Sequence, residues 1–194
     1  MSSPREAATL LLDVAERRAP TLGAGRLICV DGPAGSGKTT LAAEVAVLRP
    51  GTRVLHMDDL YDGWDGLPHV TDQLAGLLRP LAHGEAGSYR RYDWAAGRYA
   101  ETVPVPPVPL LVLEGVASGS RAHADLTTAL AWVWAPAELR LRRGLERDGE
   151  ALADRWRQWM TDEELLHTRD AVAERADLLV DGTGCTPPRL RPAP

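Results

Sequence analysis

A glycine-rich segment, residues 32–39, constrains the fold of this chain more than any other part of its sequence. It reads Gly-Pro-Ala-Gly-Ser-Gly-Lys-Thr and fits the Walker A pattern G-x-x-x-x-G-K-[ST] at every fixed position, between an apolar run and an amphipathic stretch. Glycines let backbone N–H groups turn inward around an anion, and a helix that begins here adds partial positive charge. The segment therefore predicts a phosphate-binding loop for a nucleoside triphosphate, in preference to a plain glycine-rich turn.

The only lysine of the chain lies in this loop. The chain has 22 basic residues, and all except Lys38 are arginines. A coding bias toward G and C accounts for the missing lysines. A compact ammonium group can bridge phosphates where a planar guanidinium would not fit, so we expect Lys38 to be catalytic. We expect the nucleotide to contact the loop and its continuation, which comprise Gly32, Ala34, Gly35, Ser36, Gly37, Lys38, Thr39 and Thr40.

The composition excludes several classes of function. The net charge of −5 argues against a dedicated nucleic-acid-binding protein, and the chain has no Asn with which to form the guanine-reading N-K-x-D motif. Two cysteines are too few for a disulfide framework. The N-terminus lacks a signal-peptide core, and no apolar run reaches the roughly 18 residues that span a bilayer. We therefore expect a cytoplasmic protein without nucleic-acid or membrane partners, with homo-oligomerisation left open.

Short apolar runs alternate with helical patterns along most of the chain. The apolar runs predict strands at 26–30, 54–57, 110–113, 130–134 and 178–180, and the periodicity predicts helices near 5–18, 38–48, 71–82, 137–147 and 150–173. This alternation predicts an α/β P-loop NTPase fold, with a mostly parallel five-stranded sheet and helices on both faces. We expect one domain over residues 1–182 and a frayed, proline-rich tail at 183–194.

The stretch 84–109 interrupts this alternation. It is rich in Tyr, Arg, Gly and Pro, which predicts either a small β-hairpin or an irregular flap beside a substrate. Tyr61, Trp64, Tyr92 and Trp94 flank acidic residues in and near this stretch, and their rings suit stacking on a flat or sugar-like substrate. By contrast, we expect Trp156 and Trp159 to pack in the core beneath the long C-terminal helix.

Acidic residues follow two of the predicted strands, at the sheet edge where ligands of parallel sheets bind. Asp58 follows the second strand, and Glu114 ends the third in a Walker-B-like pattern. We expect Asp58 to orient or deprotonate an attacking hydroxyl group, and we expect Thr39, Asp58 and Glu114 to bind Mg²⁺. A solvated turn or a helix cap is the alternative for Asp58, and a structural acid is the alternative for Glu114.

Three arginines share one face of the helix predicted near 137–147. Arg140, Arg143 and Arg147 follow the i, i+3, i+4 rule, and guanidinium groups suit the charge of a phosphoryl group in transfer. We expect a helical lid over 140–150, with Arg143 and Arg147 catalytic and with Arg140 and Arg143 bound to the nucleotide. A solvated basic face paired with the glutamates of the same helix is the alternative.

The order and spacing of these motifs resemble the uridine kinase and phosphoribulokinase branch of P-loop kinases, from about residue 26 to 182. The segments that carry the resemblance are the phosphate loop, Met57-Asp58-Asp59-Leu60-Tyr61, Tyr92-Asp93-Trp94, Leu113-Glu114-Gly115, Leu139-Arg140-Leu141-Arg142-Arg143 through Arg147-Asp148, and Ala176-Asp177-Leu178-Leu179-Val180. The resemblance implies ATP and Mg²⁺ as cofactors. It also implies transfer of the γ-phosphoryl group to a hydroxyl of a small molecule, with a nucleoside such as uridine or cytidine as the first expectation.

The resemblance also implies a substrate-binding set, although one position departs from the family pattern. The set comprises Asp58, Tyr61, Trp64, Tyr92, Asp93, Trp94, Arg98 and Arg147. Where uridine kinases usually carry a base-reading histidine, this chain has Gly97, and Arg90 or Arg98 would suit an anionic acceptor. A nucleoside-monophosphate or other metabolite kinase is therefore an alternative, and a nucleotide-dependent regulatory ATPase is the alternative from another class.

Overall fold

Strands and helices alternate along the structure, a computed structural model that describes residues 3–192. In chain order, the strands are β1 (Arg26–Asp31), β2 (Arg53–His56), β3 (Gly87–Asp93), β4 (Arg98–Val105), β5 (Leu110–Glu114), β6 (Ala129–Trp134), β7 (Leu178–Asp181) and β8 (Arg189–Leu190). The α-helices are α1 (Pro4–Arg17), α2 (Lys38–Leu48), α3 (Val70–Ala82), α4 (Ala137–Asp148), α5 (Ala153–Asp170) and α6 (Val172–Arg175).

The central sheet has the strand order β2-β5-β1-β6-β7-β8. The first five strands in this order pair in parallel, which confirms the parallel sheet that the sequence predicts. The predicted count of five strands is wrong, because β8 adds a sixth strand that runs antiparallel to β7. Part of the C-terminal tail is therefore not frayed. Leu190 pairs with Leu178, and pairing satisfies backbone groups that would otherwise remain open at the edge of the sheet.

Helices cover both faces of this sheet. Along β1, Ile28 and Val30 pack toward α1 and α2, whereas Leu27 and Cys29 pack toward α3 and α5. Neighbouring strand residues point to opposite faces, so an unbroken apolar run can serve both layers. The helix predicted at 150–173 is interrupted at Ala171, whose φ of 48° ends α5 before α6 begins. Over residues 3–192, no helix is long and apolar enough to cross a membrane.

The stretch predicted as a flap is an antiparallel hairpin of β3 and β4, separate from the central sheet. It packs against α3. At its tip, the Asp93 carboxylate accepts hydrogen bonds from the N–H groups of Ala95 and Ala96, and Gly97 takes a φ of +65°. The side chain of Asp93 therefore shapes the turn of the hairpin.

The arginine-bearing segment is a regular helix, α4, which packs against α5. Gly144 lies at their contact, where a Cβ atom would sit 2.4 Å from the Cε2 atom of Trp156. The contact thus depends on the absence of a side chain at position 144.

We predict that Gly144→Ala lowers the free energy of unfolding by about 1–3 kcal/mol, because the added methyl group overpacks the contact with Trp156. Gly76→Ala is the matched control within α3, since a Cβ atom there would meet no atom within 4 Å. We expect this control to raise the free energy of unfolding by about 0.5–1 kcal/mol. Chemical denaturation measures both values. Equal effects of the two variants would contradict the assigned contact.

Candidate active site

The phosphate loop joins β1 to α2, and its backbone takes conformations that favour glycine. Gly35 and Gly37 have φ values of +76° and +104°, in a region that other residues rarely adopt. Helix α2 begins directly after Gly37, and no side chain among residues 3–192 caps its N-terminus. The N–H groups of its first turn are thus left for another acceptor, which suits an anion such as a phosphate group.

The loop borders a cavity of about 1260 Å³. The Lys38 side chain reaches back across the loop, and its ammonium group donates a hydrogen bond to the Pro33 carbonyl oxygen at 2.9 Å. Burial lowers the pKa of Lys38, and the neighbouring carboxylates of Glu114, Glu163 and Asp31 oppose that shift. This cation lies where the loop would hold phosphate groups.

Oxygen ligands for a divalent cation meet in the same cavity. The Thr39 hydroxyl donates to the Glu114 carboxylate at 3.2 Å, and Asp58 lines the cavity beside them. Burial raises the pKa of Asp58, and the charge of Glu114 raises it further. Two carboxylates beside a hydroxyl group form a set of hard ligands that fits Mg²⁺.

The chain itself supplies only part of such a coordination shell. In the part of the chain that the structure describes, no group of three or more His, Cys, Asp or Glu side chains is arranged to hold a metal ion. Mg²⁺ commonly completes its octahedron with waters and substrate phosphates. The set of Thr39, Asp58 and Glu114 thus fits a metal that arrives with a nucleotide.

The two neighbouring acids after β2 face different surroundings. Both lie in a short 3-10 helix, Met57–Asp59, where the sequence predicted that Met57 would still belong to the strand. Asp58 lines the cavity, whereas Asp59 lies beside Tyr89, whose pKa is raised first by burial and then by the charge of Asp59. The indole N–H of Trp94 donates to the Asp58 carbonyl oxygen at 2.8 Å and so ties the hairpin to this turn.

Aromatic rings form the end of the cavity beyond Asp58. Tyr61, Trp64 and Trp94 line it as the sequence predicts, and Trp156 and Trp159 of α5 join them. Trp64 is central, with T-shaped contacts to Trp94, Trp156 and Trp159 at centroid distances of 5.9, 6.1 and 6.0 Å. Trp156 and Trp159 are buried, as predicted, but the sequence analysis missed that the same rings also face the cavity.

Three members of the predicted substrate-binding set do not line the cavity. Tyr92 packs behind Trp94 at a centroid distance of 5.3 Å, so it supports that ring. Asp93 is engaged in the hairpin turn described above, and Arg98 is exposed at the start of β4. The prediction that these residues contact a substrate is not supported by their positions, because the hairpin presents only Trp94 to the cavity.

The three arginines of α4 do not act as one cluster. Arg143 donates to the carbonyl oxygens of Gly35 and Gly182 at 3.0 and 3.2 Å and lines the cavity. Arg147 also lines the cavity. Its Nε atom lies 2.7 Å from Asp148 Oδ1, and its Cζ atom lies 5.7 Å from the centroid of the Trp156 ring.

Arg140 was predicted to bind the nucleotide, but its guanidinium group lies outside the cavity. It pairs with the buried carboxylate of Glu163 at 2.6 Å and also donates to the carbonyl oxygens of Ala34 and Ala135. These contacts make it a support of the phosphate loop.

Gly32 and Ser36 of the loop likewise do not line the cavity. A Cβ atom at Gly32 would lie 1.9 Å from the Val133 carbonyl oxygen, so this glycine serves close packing.

The sequence analysis missed the residues at the opposite end of the cavity. Val180 of β7, with Gly182 and Gly184 after this strand, lines it together with Ser3 and Pro4 at the start of α1. The Asp181 carboxylate accepts hydrogen bonds from the hydroxyl and N–H groups of both Thr183 and Thr186. These hydrogen bonds, those of Thr183 first, lower the pKa of Asp181 to about 2. The sequence did contain an indication of this part of the cavity. Asp-Gly-Thr-Gly stands at the end of the last parallel strand, and ligands bind at such strand ends.

His56 is a further residue that the sequence analysis missed. Its Nδ1 atom lies within hydrogen-bonding distance of the Glu114 Oε1 atom, the same oxygen that accepts from Thr39. The contact arises because β2 and β5 pair with His56 opposite Glu114. The imidazole thereby fixes the orientation of the carboxylate.

Solved structures of three proteins share this arrangement of strands and helices. A possible uridine kinase from Bacillus stearothermophilus aligns with a TM-score of 0.66 at 20% identity, over 91% of this chain and 98% of that one. A protein provisionally named a fructose transport system kinase, from Silicibacter sp. TM1040, aligns with a TM-score of 0.66 at 20% identity, over 84% and 94% of the two chains. D-glycerate 3-kinase from Cryptococcus neoformans aligns with a TM-score of 0.60 at 12% identity, over 97% and 99%.

These similarities establish the fold. No family model matches the chain, and no curated protein matches it. At identities of 20% and below, the three structures confirm the α/β fold that the sequence predicts.

Proposed function

We propose that this protein is an ATP-dependent kinase that transfers the γ-phosphoryl group to a hydroxyl group of a small molecule. The observation that carries the proposal is the meeting of Lys38, Asp58 and Glu114 in one cavity, between the phosphate loop and the aromatic rings. The kinase folds described above support it. The names of these kinases differ, so the acceptor of this chain has to be argued from its own cavity.

Each polar residue has a separate task in this proposal. The loop N–H groups and Lys38 bind the phosphates and stabilise the charge that develops during transfer. Arg143 and Arg147 reach the same cavity and add positive charge on the lid side. Mg²⁺, bound through Thr39, Glu114 and Asp58, would neutralise phosphate charge. Asp58 orients the acceptor hydroxyl and takes its proton, a role that suits a carboxyl group whose pKa is raised by burial.

The charges and rings of the acceptor end favour an uncharged acceptor that carries a ring. The Cζ atom of Arg147 lies 5.7 Å from the centroid of the Trp156 ring, and this guanidinium group is already paired with Asp148. Arg90 stacks at 4.1 Å over the ring of Tyr99, and neither Arg90 nor Arg98 lines the cavity. Among the described residues beside the tryptophans, an anionic acceptor would thus find no cation without a carboxylate partner. A nucleoside or another ring-bearing alcohol fits this end better than a nucleoside monophosphate.

The opposite end of the cavity suits the base and sugar of ATP. Pro4, Leu41 and Val180 provide apolar surface there, and the glycines after β7 leave room beside the phosphate loop. The nucleotide would then extend from this end across the loop, with its γ-phosphoryl group toward Asp58. This direction separates the donor end from the acceptor end within one continuous cavity.

We predict that Asp58→Asn lowers the rate of phosphoryl transfer by about 100-fold or more, because the amide cannot accept the hydroxyl proton. The dissociation constant for ADP should change little. Asp59→Asn is the matched control, since Asp59 is the neighbouring acid and does not line the cavity. ADP release in the presence of a panel of nucleosides and other ring-bearing alcohols measures the rates. A turnover close to that of the wild type in Asp58→Asn would disprove the role of Asp58.

We predict that Trp94→Ala raises KM for the acceptor by about tenfold, because stacking on one aromatic ring is worth roughly 1–3 kcal/mol. Trp134→Ala is the control, since Trp94 and Trp134 are comparably exposed, at 42% and 45%, and only Trp94 lines the cavity. Trp94→Phe keeps a ring but loses the hydrogen bond to Asp58, so it should show an intermediate KM. An unchanged KM in Trp94→Ala would exclude the hairpin from the acceptor site.

A further inference from the structure

A buried carboxylate lies against the outer side of the phosphate loop. It belongs to Glu163 of α5, whose side chain is only 1% exposed. Its Oε2 atom accepts a hydrogen bond from the Ala34 N–H at 2.8 Å, and its Oε1 atom accepts from Arg140 Nη1 at 2.6 Å. One carboxylate thus joins the loop backbone to α4 from a position on α5.

Helix α5 contacts the start of the loop a second time, one turn further along. His167 is four residues after Glu163 and therefore lies on the same face of the helix. Its Nε2 atom lies 3.1 Å from the Oδ1 atom of Asp31, the last residue of β1. The same Asp31 oxygen accepts the Gly32 N–H, and its other oxygen accepts the Gly119 N–H. The strand end and the loop are therefore both bound to α5.

Burying a carboxylate at this position costs desolvation free energy that an apolar side chain would not. Burial raises the pKa of Glu163, and the Ala34 N–H and then Arg140 oppose that shift. An apolar side chain could fill the same space without this desolvation penalty. What an apolar side chain cannot do is accept a backbone N–H of the loop, and that hydrogen bond fixes the direction of one peptide plane within residues 33–35.

Arg140 supports the same three residues from α4. Besides its pair with Glu163, its Nη1 atom lies 3.4 Å from the Ala34 carbonyl oxygen. The backbone of Arg140 also lies so close to Gly35 that a Cβ atom on this glycine would sit 2.7 Å from the Arg140 carbonyl oxygen. Ala34 is therefore held at both its N–H and its carbonyl group, directly before the glycines that curve around the phosphate site.

We propose that Glu163 is a positioning residue which, together with Arg140, holds residues 33–35 in the curvature that binds phosphate. Glu163 then sets the affinity for the phosphate part of a nucleotide without contacting the nucleotide. The inference requires only that residues 32–39 bind phosphate groups. It does not depend on which acceptor is phosphorylated, or on whether transfer occurs.

The test compares two ligands that differ only in phosphate. Dissociation constants for Mg²⁺-ADP and for adenosine are measured by displacement of a fluorescent ADP analogue from the full-length protein. For Glu163→Gln, we expect the ADP constant to rise about tenfold, as for the loss of one charge-assisted hydrogen bond, and we expect the adenosine constant to change less than about twofold. Glu164→Gln, an exposed neighbour on α5, is the matched control and should leave both constants unchanged.

A second variant separates positioning from general loss of folding. Arg140→Gln should weaken ADP in the same selective way. In the double variant, the fold-increase in the dissociation constant for ADP should be smaller than the product of the two single fold-increases, because both changes disrupt one contact. Thermal unfolding of each variant without ligand reports its folding separately.

The proposal would be overturned by either of two results. One is an ADP constant in Glu163→Gln equal to that of the wild type, which would mean that the loop curvature does not need this contact. The other is an equal loss of ADP and adenosine affinity, which would indicate a general structural role. Failure of the kinase proposal would leave this measurement unaffected, because both ligands are measured by displacement of the ADP analogue and no phosphoryl transfer is required.

Discussion

The hydrogen bonds that fix the backbone of residues 32–39 are the interactions on which the rest of the site depends. Glycine conformations at Gly35 and Gly37 leave N–H groups free at the start of α2. On the other side of the loop, the carboxylates of Asp31 and Glu163 accept hydrogen bonds from its backbone. One side of the loop is thus suited to an anion, and the other side is bound to protein carboxylates.

The strand order brings the chemistry to this loop. β5 lies between β2 and β1, so the acids that follow β2 and end β5 lie next to the loop that follows β1. Pairing sets His56 opposite Glu114, and Glu114 opposite Val30. Two carboxylates, a hydroxyl and an ammonium group therefore converge from three neighbouring strand ends. This convergence follows from parallel pairing, and it is the reason that the residues can be far apart in sequence.

The sequence predicted the parts of the site that depend on local pattern. The glycine-rich motif, the strand-end acids and the aromatic character of the hairpin all follow from residue type and spacing. It did not predict which of Arg140, Arg143 and Arg147 faces the cavity. Helical spacing puts them on one face, but α4 crosses the loop, so the first turn lies behind the loop and the later turns lie beside the cavity.

On the hairpin and on α5, the structure also differs from what the sequence predicts, again because of how the elements pack. On the hairpin, the resemblance implies that Tyr92 and Trp94 both bind the substrate, but the turn at Asp93 sends only Trp94 to the cavity. On α5, the apolar pattern predicts a buried face, and Trp156 and Trp159 are indeed buried. A buried ring beside a cavity and a buried ring within a core have the same sequence signature. Only the packing of α5 against α4 and Trp64 separates the two cases.

The fate of the γ-phosphoryl group tests the central claim most directly. The measurement incubates the protein with Mg²⁺ and ATP labelled in the γ-phosphate, together with a pool of uncharged ring-bearing alcohols, and then separates inorganic phosphate from organic phosphate. If the cavity between the phosphate loop and the tryptophans is a kinase site, the label appears in a phosphate monoester of one of these alcohols. If the label appears only in inorganic phosphate, whichever alcohol is present, the protein is an ATPase and the acceptor site assigned to this cavity is wrong.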